Sequence, residues 1–267
     1  MSATVGHPPA DRPRTVPTAL ALSPHLDDAA FSCGGLLASL AADGWRVVMA
    51  TLFTGSVAEP SGFALACQLD KGLHAGIDYM ALRRDEDIRA AAELGIAPPV
   101  HLPFLEAPHR GYGSAPDLFS DTRPDDGIAA DLAPAIAELI GVESPDLLLA
   151  PQAIGGHVDH VQMVRALRSL DPAQPILWWR DFPYTVRDTV PNAPLAELFT
   201  ALAEPAMRLG PDAQARKRTA CAAYASQIGF QFGGVAGLDA RLAHEEGIER
   251  FRLSGRLGAA IPGLDVG

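Results

Sequence analysis

The amino-acid sequence predicts an α/β fold built on a mostly parallel sheet with helices on both faces. Three observations carry this. Apolar runs alternate with segments of helical period along most of the chain, the pattern of successive βαβ units. The run over residues 46–53 is almost unbroken in its apolarity, as expected of a parallel strand covered on both sides. And 267 residues with 48% hydrophobic and 20% charged side chains can bury a sizeable core.

Taken in order, residues 1–17 are rich in Pro and polar groups and lack the apolar centre of a signal peptide, so they are expected to form a flexible leader. A first strand is expected at 18–23, followed by a helix over 30–42 that stops at Asp43-Gly44. A second strand occupies 46–53, and a long connection with Pro60, Gly62 and Gly72 covers 55–76. The next helix spans 79–94, with Met80, Ile88, Ala91 and Leu94 near helical spacing and Gly95 at its end. A third strand is expected at 100–105. Residues 106–126 then form a Gly-, Pro- and Asp-rich loop, too long for a simple turn and therefore a candidate substrate lid or a solvated loop.

A helix over 127–142, kinked at Pro134, leads to a fourth strand at 146–150 and to a helix carrying His157 and His160. A fifth strand at 175–180 includes Trp178-Trp179, expected in the core. A further strand near 197–203 and a helix over 211–227 follow, with Arg216-Lys217-Arg218 as a solvated helix face. The last forty residues are Gly-rich and fit no clear element. With no internal repeat or linker, residues 18–267 read as one Rossmann-like domain with an elaborated C-terminal part.

Composition narrows the function. The net charge of −11 comes without a basic stripe, which argues against nucleic acid and anionic membranes as partners. Cys33, Cys67 and Cys221 are far apart and show no CxxC spacing, as in a reducing, cytoplasmic compartment. No apolar run approaches the roughly 18 residues needed to span a bilayer. A homo-oligomer is compatible with the sequence.

Two clusters of chemistry-bearing residues stand out. His25, Asp27 and Asp28 fall in the turn between the first strand and its helix. Capping of the helix by an Asp would account for one carboxylate, but not for His25 and the second Asp. His157, Asp159 and His160 fall just past the fourth strand, with the two histidines at i, i+3 on one helix face. In a doubly wound sheet, strands one and four adjoin at the switch point, so both clusters would face one crevice. A catalytic metal site needs three His or carboxylate ligands, which His25, Asp28 and one histidine of the second cluster can supply. The remaining carboxylate and imidazole then suit amide hydrolysis, one as base and one as carbonyl-polarising group or acid. Asp159 is expected to orient His157.

The motifs Pro24-His25-Leu26-Asp27-Asp28-Ala29 with Gly34-Gly35, and His157-Val158-Asp159-His160, resemble the PIG-L/LmbE-like family of metal-dependent N-acyl deacetylases. Arg83-Arg84-Asp85-Glu86 and Tyr224-Ala225-Ser226-Gln227 are similar to two weaker family marks. The resemblance implies His25, Asp28 and His160 as ligands of Zn2+, or of another divalent ion such as Fe2+. It implies Asp27 as general base, His157 as oxyanion stabiliser and acid with Asp159 tuning it, and Arg83 as a substrate contact. Glu106 and Arg110, in the long loop, are further substrate-binding candidates, while His101 reads as a core or surface histidine. Leu26 and Ala29 depart from the family's commonest His-Pro-Asp-Asp-Glu. The expected substrate is a small N-acylated molecule, an N-acetylated amino sugar or glycosylated metabolite. Another amide, such as a thiol conjugate or antibiotic-pathway intermediate, would use the same centre. A non-catalytic sugar- or nucleotide-binding module is the reading from a different class, though neither G-x-G-x-x-G nor a P-loop follows the first strand.

Overall fold

In a computed structural model, residues 16–266 are described; the expected leader lies almost wholly outside them. The elements in order are β1 (Thr18–Ser23), α1 (Asp28–Ala42), β2 (Arg46–Thr51), α2 (Gly62–Leu69), α3 (Tyr79–Leu94) and β3 (Val100–His101). Next come α4 (Ile128–Glu143), β4 (Leu147–Pro151), α5 (Val158–Leu170), β5 (Ile176–Trp179) and β6 (Ala206–Arg208). The chain closes with α6 (Pro211–Ala222), α7 (Ala225–Phe232), α8 (Val235–Ala243), β7 (Ile248–Ser254) and β8 (Leu264–Asp265). They form one sheet of order β3-β2-β1-β4-β5-β7-β6-β8. The first five strands in that order are parallel, and β7, β6 and β8 extend the sheet antiparallel.

The strand period of two splits the apolar residues between two cores. Ala19 and Ala21 of β1, Val47 and Met49 of β2, and Leu147 and Leu149 of β4 face the layer made by α1, α3, α6 and α8. Leu20 and Leu22, Val48 and Ala50, and Leu148 and Ala150 face the layer made by α4 and α5. Trp178 and Trp179 are buried on opposite faces, as core residues. Because β1 and β4 are neighbours, the loops after them open onto the same edge of the sheet. That adjacency places the site.

Several boundaries differ from the sequence expectation. α1 starts at Asp28 and bends at Cys33, whose backbone leaves the helical region (φ −136°, ψ 18°). α4 instead runs unbroken through Pro134, which is exposed, so water can satisfy the carbonyl its missing N–H leaves free. The third strand shrinks to Val100–His101, beyond which only Pro103 bridges Phe53. No strand forms at 197–203. That stretch holds a 3-10 turn, Ala196–Leu198, and its one buried side chain is Phe199, packed on Trp178; the strand follows at Ala206–Arg208. The helix expected over 211–227 breaks at Ala223-Tyr224 into α6 and α7. α2 lies inside the stretch expected to be a plain connection, its short apolar run only half-buried.

Lys217 is not on a solvated face. It is 2% exposed, with its ammonium 2.6 Å from Glu245 and 3.0 Å from Glu249. Glu249 in turn accepts from the backbone N–H groups of Gly35 (2.9 Å) and Leu36 (2.8 Å), just past the bend in α1. The bend frees these donors and the carboxylate caps them, much as an N-cap does at a helix start. Gly35 has no room for a side chain: a Cβ there would lie 2.3 Å from Leu209. Removing one partner of a buried ion pair strands the other charge. Lys217→Ala should therefore lower the unfolding free energy by about 3–5 kcal/mol, read from urea denaturation, whereas Arg218→Ala, at an exposed pair with Asp239, should leave it nearly unchanged.

Candidate metal and catalytic site

The turn after β1 is held by Ser23, whose hydroxyl donates to the His25 carbonyl (2.7 Å) and accepts from Ala29 N–H (3.1 Å). Neither aspartate caps α1. Asp27 occupies the N-cap position without a side-chain cap bond, and Asp28 accepts from the His25 backbone N–H (2.8 Å). Both carboxylates are left for the cavity that opens here, about 240 Å³ in volume and lined also by His25, His157 and Asp159. The capping explanation does not hold for either of them.

His160 crosses from the first turn of α5. Its Nε2 lies 3.1 Å from Asp28 Oδ2 and 3.3 Å from His25 Nδ1, and His25 Nδ1 lies 3.3 Å from the same Asp28 oxygen. The outward nitrogens are both engaged: His25 Nε2 with Asp159 Oδ2 at 2.9 Å, and His160 Nδ1 with Asp181 Oδ1 at 2.8 Å. With those protons given to carboxylates, the inward nitrogens present lone pairs beside a carboxylate oxygen. Three acceptors facing one another at this spacing suit a cation. A tetrahedral site with bonds of about 2.0–2.1 Å has edges of about 3.3–3.4 Å, so the triangle fits a zinc-sized ion.

Nitrogens of His25, His157 and His160 also lie within 4.8 Å of one another, which makes His157 an alternative third ligand. Its Nδ1, however, accepts from the Asp159 backbone N–H (3.2 Å), so the neutral ring carries its proton on Nε2 and has no second lone pair to give. Asp28 is the better third ligand.

Charges in the cluster follow from burial and neighbours. Burial opposes charge on His25 and His160, but Asp159 and Asp28 outweigh it for His25, and Asp28 and Asp181 push His160 up to about 9, so each ring takes a second proton that a bound cation must displace from the inward nitrogen. Burial and the charge of His25 bring His157 down to about 3, so it is neutral. Asp28 is held below the usual carboxylate range by His160 against the opposing effect of burial. Asp27 goes the other way: burial, then the adjacent Asp28, raise it to about 7, with Arg83 opposing.

The structure gives Asp159 a different partner from the one expected. Its Oδ2 bonds His25, while His157 Nδ1 is 3.9 Å away and is held by the Asp159 backbone instead. Asp159 also accepts from Ala107 N–H (3.1 Å) and has Arg110 Nη1 2.7 Å from its other oxygen. Arg110 stands behind Asp159, also bonded to Asp126 and the Leu105 carbonyl, and is not among the cavity-lining residues. With Tyr112 donating to Asp126 (2.9 Å), these contacts pin the 106–126 loop as a wall of the cavity. Glu106 and Arg83 do line it, joined at 2.5 Å, with Arg83 Nη2 3.9 Å from Asp27. The Arg83 Nε is buried without a partner. His101 is bonded to buried Asp87 (2.9 Å) away from the cavity.

Sequence reasoning missed Asp181 and Gln231. Asp181 follows β5, the next parallel strand, and its position past a strand end was the only signal available. Gln231 donates to Asp27 Oδ2 (3.1 Å) from α7. The two weaker motifs turn out to share one interface that holds α7. Glu86 accepts from the Ser226 N–H (2.8 Å) and hydroxyl (2.6 Å), Tyr224 donates to Asp87 (2.6 Å), and Gln227 donates to Tyr79 (3.0 Å).

With this geometry in view, comparison with known proteins is decisive for the family. The model of the PIG-L family, described as GlcNAc-PI de-N-acetylase, matches residues 20–170. The chain belongs to the PIG-L family. The 2'-N-acetylparomamine deacetylase of Streptomyces fradiae is 39% identical over 175 residues, 64% of this chain and 59% of that protein. The match thus spans less than two thirds of that relative. The zinc-inhibited form of teicoplanin deacetylase Orf2 superposes with a TM-score of 0.74 at 26% identity, covering 91% of this chain and 100% of that one. The A40926 pseudoaglycone deacetylase Dbv21 gives 0.71 at 30% identity, covering 91% and 98%.

Carboxylates that hold metal-binding histidines tune affinity. Asp181→Asn should weaken Zn2+ binding about 10–100-fold, measured by competition with a chromogenic chelator.

Proposed function

We propose that the chain is a metal-dependent N-deacetylase whose ion is held by His25, Asp28 and His160, with Zn2+ as the first candidate and Fe2+ as the alternative. The reading rests on one observation above all: three candidate ligand atoms lie 3.1–3.3 Å apart, and two of their residues, His25 and Asp28, line a cavity with a further carboxylate, Asp27, that neither caps a helix nor pairs closely with a cation. A divalent ion there would supply Lewis acidity, polarising the acyl carbonyl and making water a better nucleophile.

The chain's own residues supply the rest. Asp27, with a proton affinity suited to neutral pH and a hydrogen bond from Gln231, takes a proton from the attacking water as the new C–O bond forms. It returns that proton to the amine as the C–N bond breaks, leaving acetate and a free amino group. His157, neutral and with its proton on Nε2, donates to the acyl oxygen as charge collects there. Arg83, fixed by Glu106, offers hydrogen bonds to hydroxyls of the substrate.

For the substrate, we take an N-acetylated amino sugar within a glycosylated small molecule. The support is the cavity's volume of about 240 Å³ and relatives that carry paromamine, teicoplanin and A40926 pseudoaglycone in their names. Among the described residues no helix is long and apolar enough to cross a membrane, and the three cysteines are free.

The test is a panel of N-acetylglucosaminides, N-acetylated pseudodisaccharides, glycopeptide-linked N-acylglucosamines and thiol-conjugate amides, with free amine as readout. Asp27→Asn should keep the metal and lose about 10²–10⁴-fold in kcat; an undiminished rate contradicts its role as base. Chelation should abolish turnover and Zn2+ or Fe2+ restore it, and turnover that survives complete metal removal, checked by elemental analysis, would refute the reading.

A further inference from the structure

We propose that Tyr184 is a catalytic hydrogen-bond donor, placing its hydroxyl on the acyl oxygen as a second donor beside His157. The proposal deepens the deacetylase reading above and rests on it.

The chain has four tyrosines, and three have committed hydroxyls. Tyr79 is bonded to Gln227, Tyr112 to Asp126 and Tyr224 to Asp87. Tyr184 alone, among the described residues, has no hydrogen bond from its hydroxyl to the protein, and it lines the cavity that holds Asp27, Asp28 and His157. A phenol with an apolar body in a wall and an uncommitted polar tip is a group kept for a ligand.

Its ring is held on several sides. It lies against Gly155, where a Cβ would sit 2.6 Å from a ring carbon, so that position admits no side chain while the ring is there. Gly155 has φ +103°, a conformation glycine adopts without strain. The Phe119 ring meets it edge-on at 6.0 Å, and Phe119 packs edge-on against His157 at 5.3 Å. The Arg187 guanidinium covers the ring at 4.6 Å. The segment that carries Tyr184 is tied to the loop that carries His157 at two places: Asp181 accepts from Ile154 N–H (2.9 Å), and the Asn192 carbonyl accepts from Gly155 N–H (2.7 Å). The phenol and the imidazole are thus parts of one packed unit.

A donor held in place before the reaction needs no reorganisation when charge develops, which is the basis of oxyanion stabilisation. Burial, with Asp28 next, holds the phenol far above its usual range, so it stays protonated and can only donate to an anionic oxygen. Tyr184 keeps its proton throughout; it makes and breaks no covalent bond.

The experiment is steady-state kinetics of wild type and Tyr184→Phe on whichever panel substrate the wild type cleaves best. Metal content and melting temperature are measured on both. Loss of an oxyanion donor should lower kcat about 10²-fold and leave KM within about 2-fold. Tyr184→Phe should also weaken a tetrahedral phosphonamidate analogue by a similar factor while leaving binding of the deacetylated product unchanged. An unchanged kcat overturns the proposal, as does a raised KM at constant kcat, which would make Tyr184 a ground-state contact. A fall in metal content or melting temperature that accounts for the loss overturns it too. If the metal-loaded wild type cleaves no amide in the panel, the deacetylase reading fails first and this proposal falls with it.

Discussion

The arrangement depends on two carboxylates that stand behind two imidazoles. Asp159 and Asp181 fix the protons of His25 and His160 on the outward nitrogens, and so turn two lone pairs toward one oxygen of Asp28. Without either, the histidine it holds could flip its tautomer and offer a proton where a lone pair is needed. Each of the five groups comes from a loop or first helical turn beyond β1, β4 or β5, which lie side by side. The parallel centre of the sheet therefore sets the distances, and the carboxylates set the electronics.

Much of this was legible in the sequence because it is written locally. The strand β1 and helix α3 match their expected spans, since unbroken apolar runs and Gly or Asp punctuation are short-range signals. The clusters around His25 and His160 were legible for the same reason. What the sequence hid is what depends on distant partners. Asp159 sits two residues from His157 yet serves His25, because the first turn of α5 directs its carboxylate across the cavity. Asp181 and Gln231 stand in no recognisable pattern, and only folding brings them to His160 and Asp27. Lys217 shows the limit most plainly. Flanked by two arginines it reads as a solvated face, yet it is buried against Glu245 and Glu249 from a segment about thirty residues further along.

The bend of α1 at Cys33 joins the turn after β1 to the back of the molecule. The first half of the helix presents Asp28 to the cavity, and the second half packs Gly34-Gly35 under α6 and β7, where Glu249 satisfies the freed N–H groups. A straight helix from the same start would need neither Glu249 nor the buried ammonium that neutralises it. The antiparallel extension of the sheet, ambiguous in the sequence, thus supports the helix that carries Asp28.

The cavity draws on two kinds of scaffold. His25, Asp27, Asp28, His157 and Asp159 come from strand ends, whereas Phe63, Phe119, Tyr184 and Phe230 come from connections and short outer helices. A chain organised this way can exchange the outer pieces, and with them the molecules it admits, while the inner polar cluster stays as it is.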